Sequence, residues 1–237
     1  MNNVLTYGII ISMILGISAF VASNNIIVGV LVLLISFLYF FFIARKMINK
    51  YLIKLNRFHE CYHFINTFIV ALSIKGVISS AYETSVESMP DEFNKNIENL
   101  ETFDQQEKLN HLNKYFRFHL FSLFVDLITL YENQGGDILE MSHYLLDELR
   151  LTEEYISSTK TISKKRIVEF AILWFLTLGI MIFLRFALSY FFKTISKQIF
   201  YPIGIMAICL FCLISIHIAI SKLCNLQIRG WNDAEKI

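Results

Sequence analysis

Residues 26–46 read IIVGVLVLLISFLYFFFIARK, nineteen residues from Ile26 to Ala44 without a charge, followed by Arg45 and Lys46. At about 1.5 Å per helical residue such a run covers about 28 Å, close to the hydrocarbon thickness of a bilayer. Working backwards, Ser23-Asn24-Asn25 is a polar break, and Val4 to Ala22 is a second uncharged run of the same length. The two runs together read as a transmembrane hairpin. Met1-Asn2-Asn3 carries no positive charge, and the first run is longer than a typical signal core, so a span is expected there rather than a cleaved leader. Working forwards, polarity rises abruptly at Arg45-Lys46 and stays high as far as Lys164-Lys165-Arg166, a stretch the size of one small domain. Two further apolar runs follow, Ile167 to Phe192 and Phe200 to Ser221, separated by a short polar link. Four helical spans are the simplest count.

Composition agrees with this division. The 237 residues are 55% hydrophobic and 17% charged, against about 45–50% and about 25% in ordinary soluble domains. The 21 Lys and Arg against 20 Asp and Glu leave a net charge of +1, so no basic excess points to nucleic acid. Two Pro and nine Gly are too few for a linker-rich chain, and Cys61, Cys209, Cys212 and Cys224 do not form a disulfide framework. Flanking cations set the orientation. Arg45, Lys46, Lys50, Lys54 and Arg57 enter the polar region and Lys160, Lys164, Lys165 and Arg166 leave it, so residues 45–166 and both termini are expected on the cytoplasmic side of the cell membrane. The expected organisation is a hairpin at 1–44, a cytoplasmic helical domain at 45–166, two spans at 167–222 and a short tail at 223–237.

The polar domain reads as an antiparallel helical bundle, which makes the whole chain all-α. Phe58, Cys61, Tyr62, Ile65, Phe68, Ile69 and Leu72 recur at three- and four-residue steps and give one apolar face. Lys75-Gly76 ends that helix through a glycine cap. Ser79 and Ser80 lead a second helix, stopped at Met89-Pro90. Gln106 to Asn133 carries one long helical pattern ending before Gly135-Gly136. The next helix bears Ile138, Leu139, Met141, Leu145, Leu146, Leu149 and Tyr155, and can run on through the basic cluster into the third span. No alternating pattern argues for a sheet.

The succession LSIKGVISSAYE at 72–83, SMP at 88–90, a long helix, YENQGGDILEMSHYLLDELR at 131–150 and then apolar spans resembles the type II secretion F domain. The closest likeness is to the single-domain inner-membrane platform proteins of tight-adherence pili. Gly135, Gly136, Leu139, Leu146 and Arg150 match that family's Gly-Gly turn and following helix. The resemblance implies a platform that couples a cytoplasmic secretion ATPase to the assembly of pilin-like subunits. With one such domain where secretion proteins have two, it also implies pairing with itself or a sister platform protein. Neither a cofactor nor an enzymatic activity is implied.

Sharper motifs stand beside this reading. His59-Glu60-Cys61-Tyr62-His63 matches H-E-x-x-H, which on a helix puts two imidazoles on one face with a carboxylate between them, the arrangement of a zinc protease. No downstream third ligand is evident, so a structural role is expected and a membrane metalloprotease is the alternative. Cys209 and Cys212 are spaced C-x-x-C inside an apolar span, where they read as small apolar residues, and His217 reads as an interhelical hydrogen-bonding group. Arg185, near the far end of the third span, is expected to snorkel to the outer interface or to meet an acidic group on a membrane-embedded subunit. The acidic residues Glu83, Glu87, Asp91, Glu92, Glu98 and Glu101 read as a solvated face, with Glu83, Glu87, Asp91 and Glu92 the candidate ATPase-docking surface. No G-x-x-x-x-G-K-[ST] loop is present, so nucleotide-driven work would come from a partner.

Overall fold

A computed structural model describes residues 2–90, 93, 103–187, 189–196, 198 and 200–224. Asp91, Glu92, Glu98, Glu101 and the tail from residue 225 lie outside the described residues. In chain order the helices are α1 (Asn2–Ser23), α2 (Ile26–Tyr39), α3 (Arg45–Lys75), α4 (Ile78–Glu87), α5 (Gln105–Phe116), α6 (His119–Gln134), α7 (Ile138–Ala187), α8 (Ser189–Ile195) and α9 (Phe200–Cys224). A π-helical turn, Phe40–Ala44, joins α2 to α3. There is no strand among the described residues. The stretches Leu5–Ser23, Ile26–Lys75, Ile138–Ala187 and Phe200–Cys224 are each long and apolar enough to cross a membrane.

The chain divides into two compact units, with the divisions after Leu52 and after Thr159. The apolar unit is built on α1 and α2, which approach closely because small residues face each other. A Cβ on Gly16 would stand 2.8 Å from Leu33 Cβ, and one on Gly29 would stand 2.7 Å from Phe20 Cβ. Gly8 likewise admits Phe40, whose Cβ lies 3.1 Å from where a glycine Cβ would be. Gly8, Ser12 and Gly16 therefore form a stripe at four-residue steps, the small-residue spacing through which apolar helices associate in lipid. Ser12 and Ser36 are buried, and each hydroxyl donates to a carbonyl of its own helix, Gly8 O at 2.8 Å and Val32 O at 2.7 Å. Leu15, Val28 and Val32 of the hairpin join Leu178 of α7 and Ile205 and Cys209 of α9 in one apolar core.

The second unit, residues 53–159, has a different core. Leu55, Phe58, Cys61, Phe64, Ile65, Phe68, Ile69 and Leu72 of α3 are all buried; Leu55 and Phe64 are added to the face expected from the periodicity, and Tyr62 is only half-buried. The Phe64 ring lies 5.9–6.3 Å from those of Phe68, Tyr82, Phe93, Phe116, Phe121 and Phe124. Gly76 closes α3 in a left-handed conformation (φ +66°), its N–H donating to Leu72 O at 2.8 Å.

The single long helix expected over 106–133 is instead two helices. Arg117 takes a left-handed conformation (φ +59°) and its N–H donates to Asn113 O at 3.0 Å, ending α5 before α6 begins at His119. The reason lies in the neighbours: Phe116 and Phe118 are both buried, yet residues two apart on a helix point to opposite sides. Breaking the helix at Arg117 lets both rings enter the core. The expected run from Ile138 into the third apolar segment is found, since α7 continues to Ala187.

Candidate functional site

The densest polar cluster in the apolar unit surrounds the α1–α2 turn. The last carbonyls of a helix have no partner within it, and in lipid no water replaces one. Here the carbonyls of Ala19, Phe20, Val21 and Ala22 are each met by a side chain or by the turn itself. Asn24 adopts a left-handed conformation (φ +53°) with its N–H on Phe20 O at 2.9 Å, and Ser23 Oγ donates to Ala19 O at 2.7 Å. Asn25 caps α2, its Oδ1 accepting from Ile27 N–H at 3.0 Å. Tyr201 of α9 donates its hydroxyl to Ala22 O at 2.9 Å. Arg185 of α7 completes the set. Its guanidinium donates to Val21 O and, at 2.8 Å, to Asn24 Oδ1, and it lies 5.3 Å and 5.7 Å from the ring centres of Phe192 and Phe186. A cation at a helix C-terminus also complements the helix dipole. The side chain that the sequence offered to a partner's acidic group is thus held by the hairpin turn of its own chain.

His217, expected to bond between helices, does so: its Nδ1 shares a hydrogen bond of 3.1 Å with the hydroxyl of Tyr39, next to the π-helical turn. Cys209 and Cys212 are buried among apolar neighbours.

In the bundle, the H-E-x-x-H residues go to separate duties. His59 and His63 are exposed, and His63 Nδ1 shares a hydrogen bond of 2.9 Å with Thr67 Oγ1. Glu60 accepts from the Tyr115 hydroxyl at 3.1 Å, and the guanidinium of Arg57 lies 5.1 Å from the centre of the Tyr115 ring. Among the described residues no three His, Cys, Asp or Glu side chains come together as a metal site would require. Burial holds the Cys61 thiol well above its ordinary pKa, so it stays protonated and unreactive. Burial and then the neighbouring Glu153 raise the Tyr62 hydroxyl, with Arg150 opposing them.

The Gly135-Gly136 turn is formed with both residues at positive φ (+66° and +122°), and Gly135 N–H closes α6 on Tyr131 O at 2.8 Å. Asp137 then opens α7, its Oδ1 accepting from Leu139 N–H at 2.9 Å. The core positions of α7 are Ile138, Leu145 and Leu149, whereas Leu139 is exposed, Leu146 half-buried, and Arg150 exposed in a 3.2 Å pair with Glu154. Glu83 and Glu87 are both exposed, one turn apart on α4. Tyr155, expected with the apolar pattern of this helix, is 53% exposed, and with Tyr144 and Leu151, 72% and 60% exposed, it forms a line at seven- and four-residue steps along α7 that the sequence pattern did not single out. The buried leucines beside it mask that spacing in the sequence. The Gly8-Ser12-Gly16 stripe was also not singled out, although its four-residue spacing stands in the sequence. No family model matches the chain, and neither the curated proteins nor the solved structures contain a match to it.

Proposed function

We propose that the chain is a membrane platform protein of a type IV-like, tight-adherence filament or type II secretion machine. In this reading the four apolar stretches span the cell membrane. The unit at 53–159 and both termini face the cytoplasm, as the flanking Lys and Arg favour. The bundle meets a cytoplasmic secretion ATPase, with Glu83 and Glu87 on the meeting face, and the spans receive pilin-like subunits from the bilayer. The observation that carries the reading is the division of one chain into an apolar helical unit and a phenylalanine-cored, water-adapted helical unit, with the chain passing from one to the other inside α3 and again inside α7. Pairing with a second copy or a sister platform is supported by the exposed Tyr144, Leu151 and Tyr155, whose spacing is that of a coiled-coil seam. The polar clusters described above serve packing, and the resemblance of 72–83 and 131–150 to the type II secretion F domain supplies the biological setting.

The test is made in the native cell. Affinity purification of the full chain should bring down a hexameric ATPase, and the double variant Glu83→Lys/Glu87→Lys should lose it while the chain remains in the membrane. Deleting the gene should abolish surface filaments or secretion. A deletion strain with filaments and secretion intact would overturn the proposal.

A further inference from the structure

We infer that the apolar unit holds one anionic phospholipid, its acyl chain in a cavity between the helices and its headgroup on the cations at the cavity's end. This rests on the chain spanning a bilayer and not on its being a platform.

The cavity has a volume of about 300 Å³ and lies between α1, the π-helical turn, the start of α3, the apolar half of α7 and the last turns of α9. Phe40, Ile48, Ile167, Trp174, Ala219 and Leu223 are among the residues that line it, and the Trp174 indole nitrogen is the sole side-chain heteroatom in its wall. Such a wall gives water no partner, so an occupant suited to it is hydrocarbon. Charge then selects which hydrocarbon. Over residues 2–52 and 160–224 the sequence has a single acid, Glu169. Cations adjoin the lining residues in sequence on α3, α7 and α9. Ile48 lies between Lys46 and Lys50, Ile167 follows Lys164-Lys165-Arg166, and Leu223 follows Lys222. All six of these cations are exposed, and their counter-charge has to come largely from outside the unit. A phospholipid with a negative headgroup supplies both halves in one molecule, and basic pockets between spans on the cytoplasmic side are where such lipids bind.

Trp174 reports on its own site. The Trp231→Phe background leaves it as the single tryptophan. The full chain is reconstituted in phosphatidylcholine vesicles and titrated with phosphatidylglycerol brominated along its acyl chains, and in parallel with brominated phosphatidylcholine. Brominated phosphatidylglycerol should reach half-maximal quenching at a mole fraction about fivefold lower, the preference that a single basic side chain near the surface confers. Arg166→Gln/Lys222→Gln, both on the surface, should narrow the gap between the two curves. Ala219→Phe, which fills the cavity, should reduce quenching by both lipids at unchanged helix content. Coincident curves for the unaltered cation set would overturn the inference. Absence of quenching by either lipid would overturn it too, by showing that Trp174 does not face hydrocarbon. Neither result would bear on ATPase binding, which is measured separately.

Discussion

The two units solve the same problem, holding helices together, with opposite kinds of side chain. In the bundle the contacts are made by large rings: Phe58, Phe64, Phe68, Phe93, Phe116, Phe121 and Phe124 are fully buried. In the hairpin they are made by what is missing, since Gly8, Gly16 and Gly29 let backbone and Cβ atoms approach where a methyl group would collide. The solvent explains the contrast. On the proposed placement, with the bundle in water and the apolar unit in a bilayer, withdrawing a phenylalanine from water is strongly favourable, so the bundle gains by enlarging its core. Withdrawing a leucine from lipid gains almost nothing, because lipid tails are as apolar as the side chain, and close packing becomes the main attraction left. Within one chain the composition of each helix contact thus records the medium for which it was selected.

The contrast is most exposed at Phe64. Phe64→Ala removes the ring on which six others converge and should destabilise the bundle by about 3–5 kcal/mol. Cys61, buried beside it, should become open to maleimide at a correspondingly lower urea concentration, while the apolar unit in detergent keeps its helix content. Equal loss in both units would break the comparison. Next comes Arg185→Leu, which strips Val21 O and Asn24 Oδ1 of a charged donor and should cost the apolar unit about 1.5–3 kcal/mol, part of it regained in Arg185→Lys. Trp174 fluorescence during titration with SDS measures this. Gly29→Ala adds one methyl group against Phe20 and should cost about 1–3 kcal/mol by overpacking. The same glycine-to-alanine change at Gly179, where an added Cβ meets nothing within 4 Å, should be tolerated. The smallest effect belongs to Arg150→Ala, since an exposed pair with Glu154 contributes at most about 0.5 kcal/mol. A larger loss of stability there would show that the Tyr62, Arg150 and Glu153 neighbourhood is a coupled network.

The fold was legible wherever a single period dominated. Uncharged runs announced the apolar helices, the three- and four-residue steps from Phe58 to Leu72 announced the buried face of α3, and Gly76 marked its end. Phe64 escaped because it sits at the edge of that period, and only the arrival of α4, α5 and α6 makes it central. The break at Arg117 escaped for a related reason: Leu109, Leu112, Phe116, Leu120 and Phe124 keep a continuous helical rhythm, and it takes the burial of Phe118, out of phase with them, to interrupt the helix. Of the candidate sites, the position of Arg185 near the end of its span was readable. Its partners were not, because a backbone carbonyl at Val21 leaves no trace in residue identity.

The bond from Arg185 to the carbonyl of Val21 joins residues 164 positions apart. At about 5–20 residues per second of synthesis, the guanidinium emerges about 8–30 s after the carbonyl it will meet. During that interval the hairpin turn lacks its cation, and the contacts available to it within the hairpin are the glycine approaches and the caps made by Ser23, Asn24 and Asn25. The turn at the start of the chain is thus completed only by residues made much later, Arg185 first and then Tyr201, whose bond to Ala22 O joins residues 179 apart.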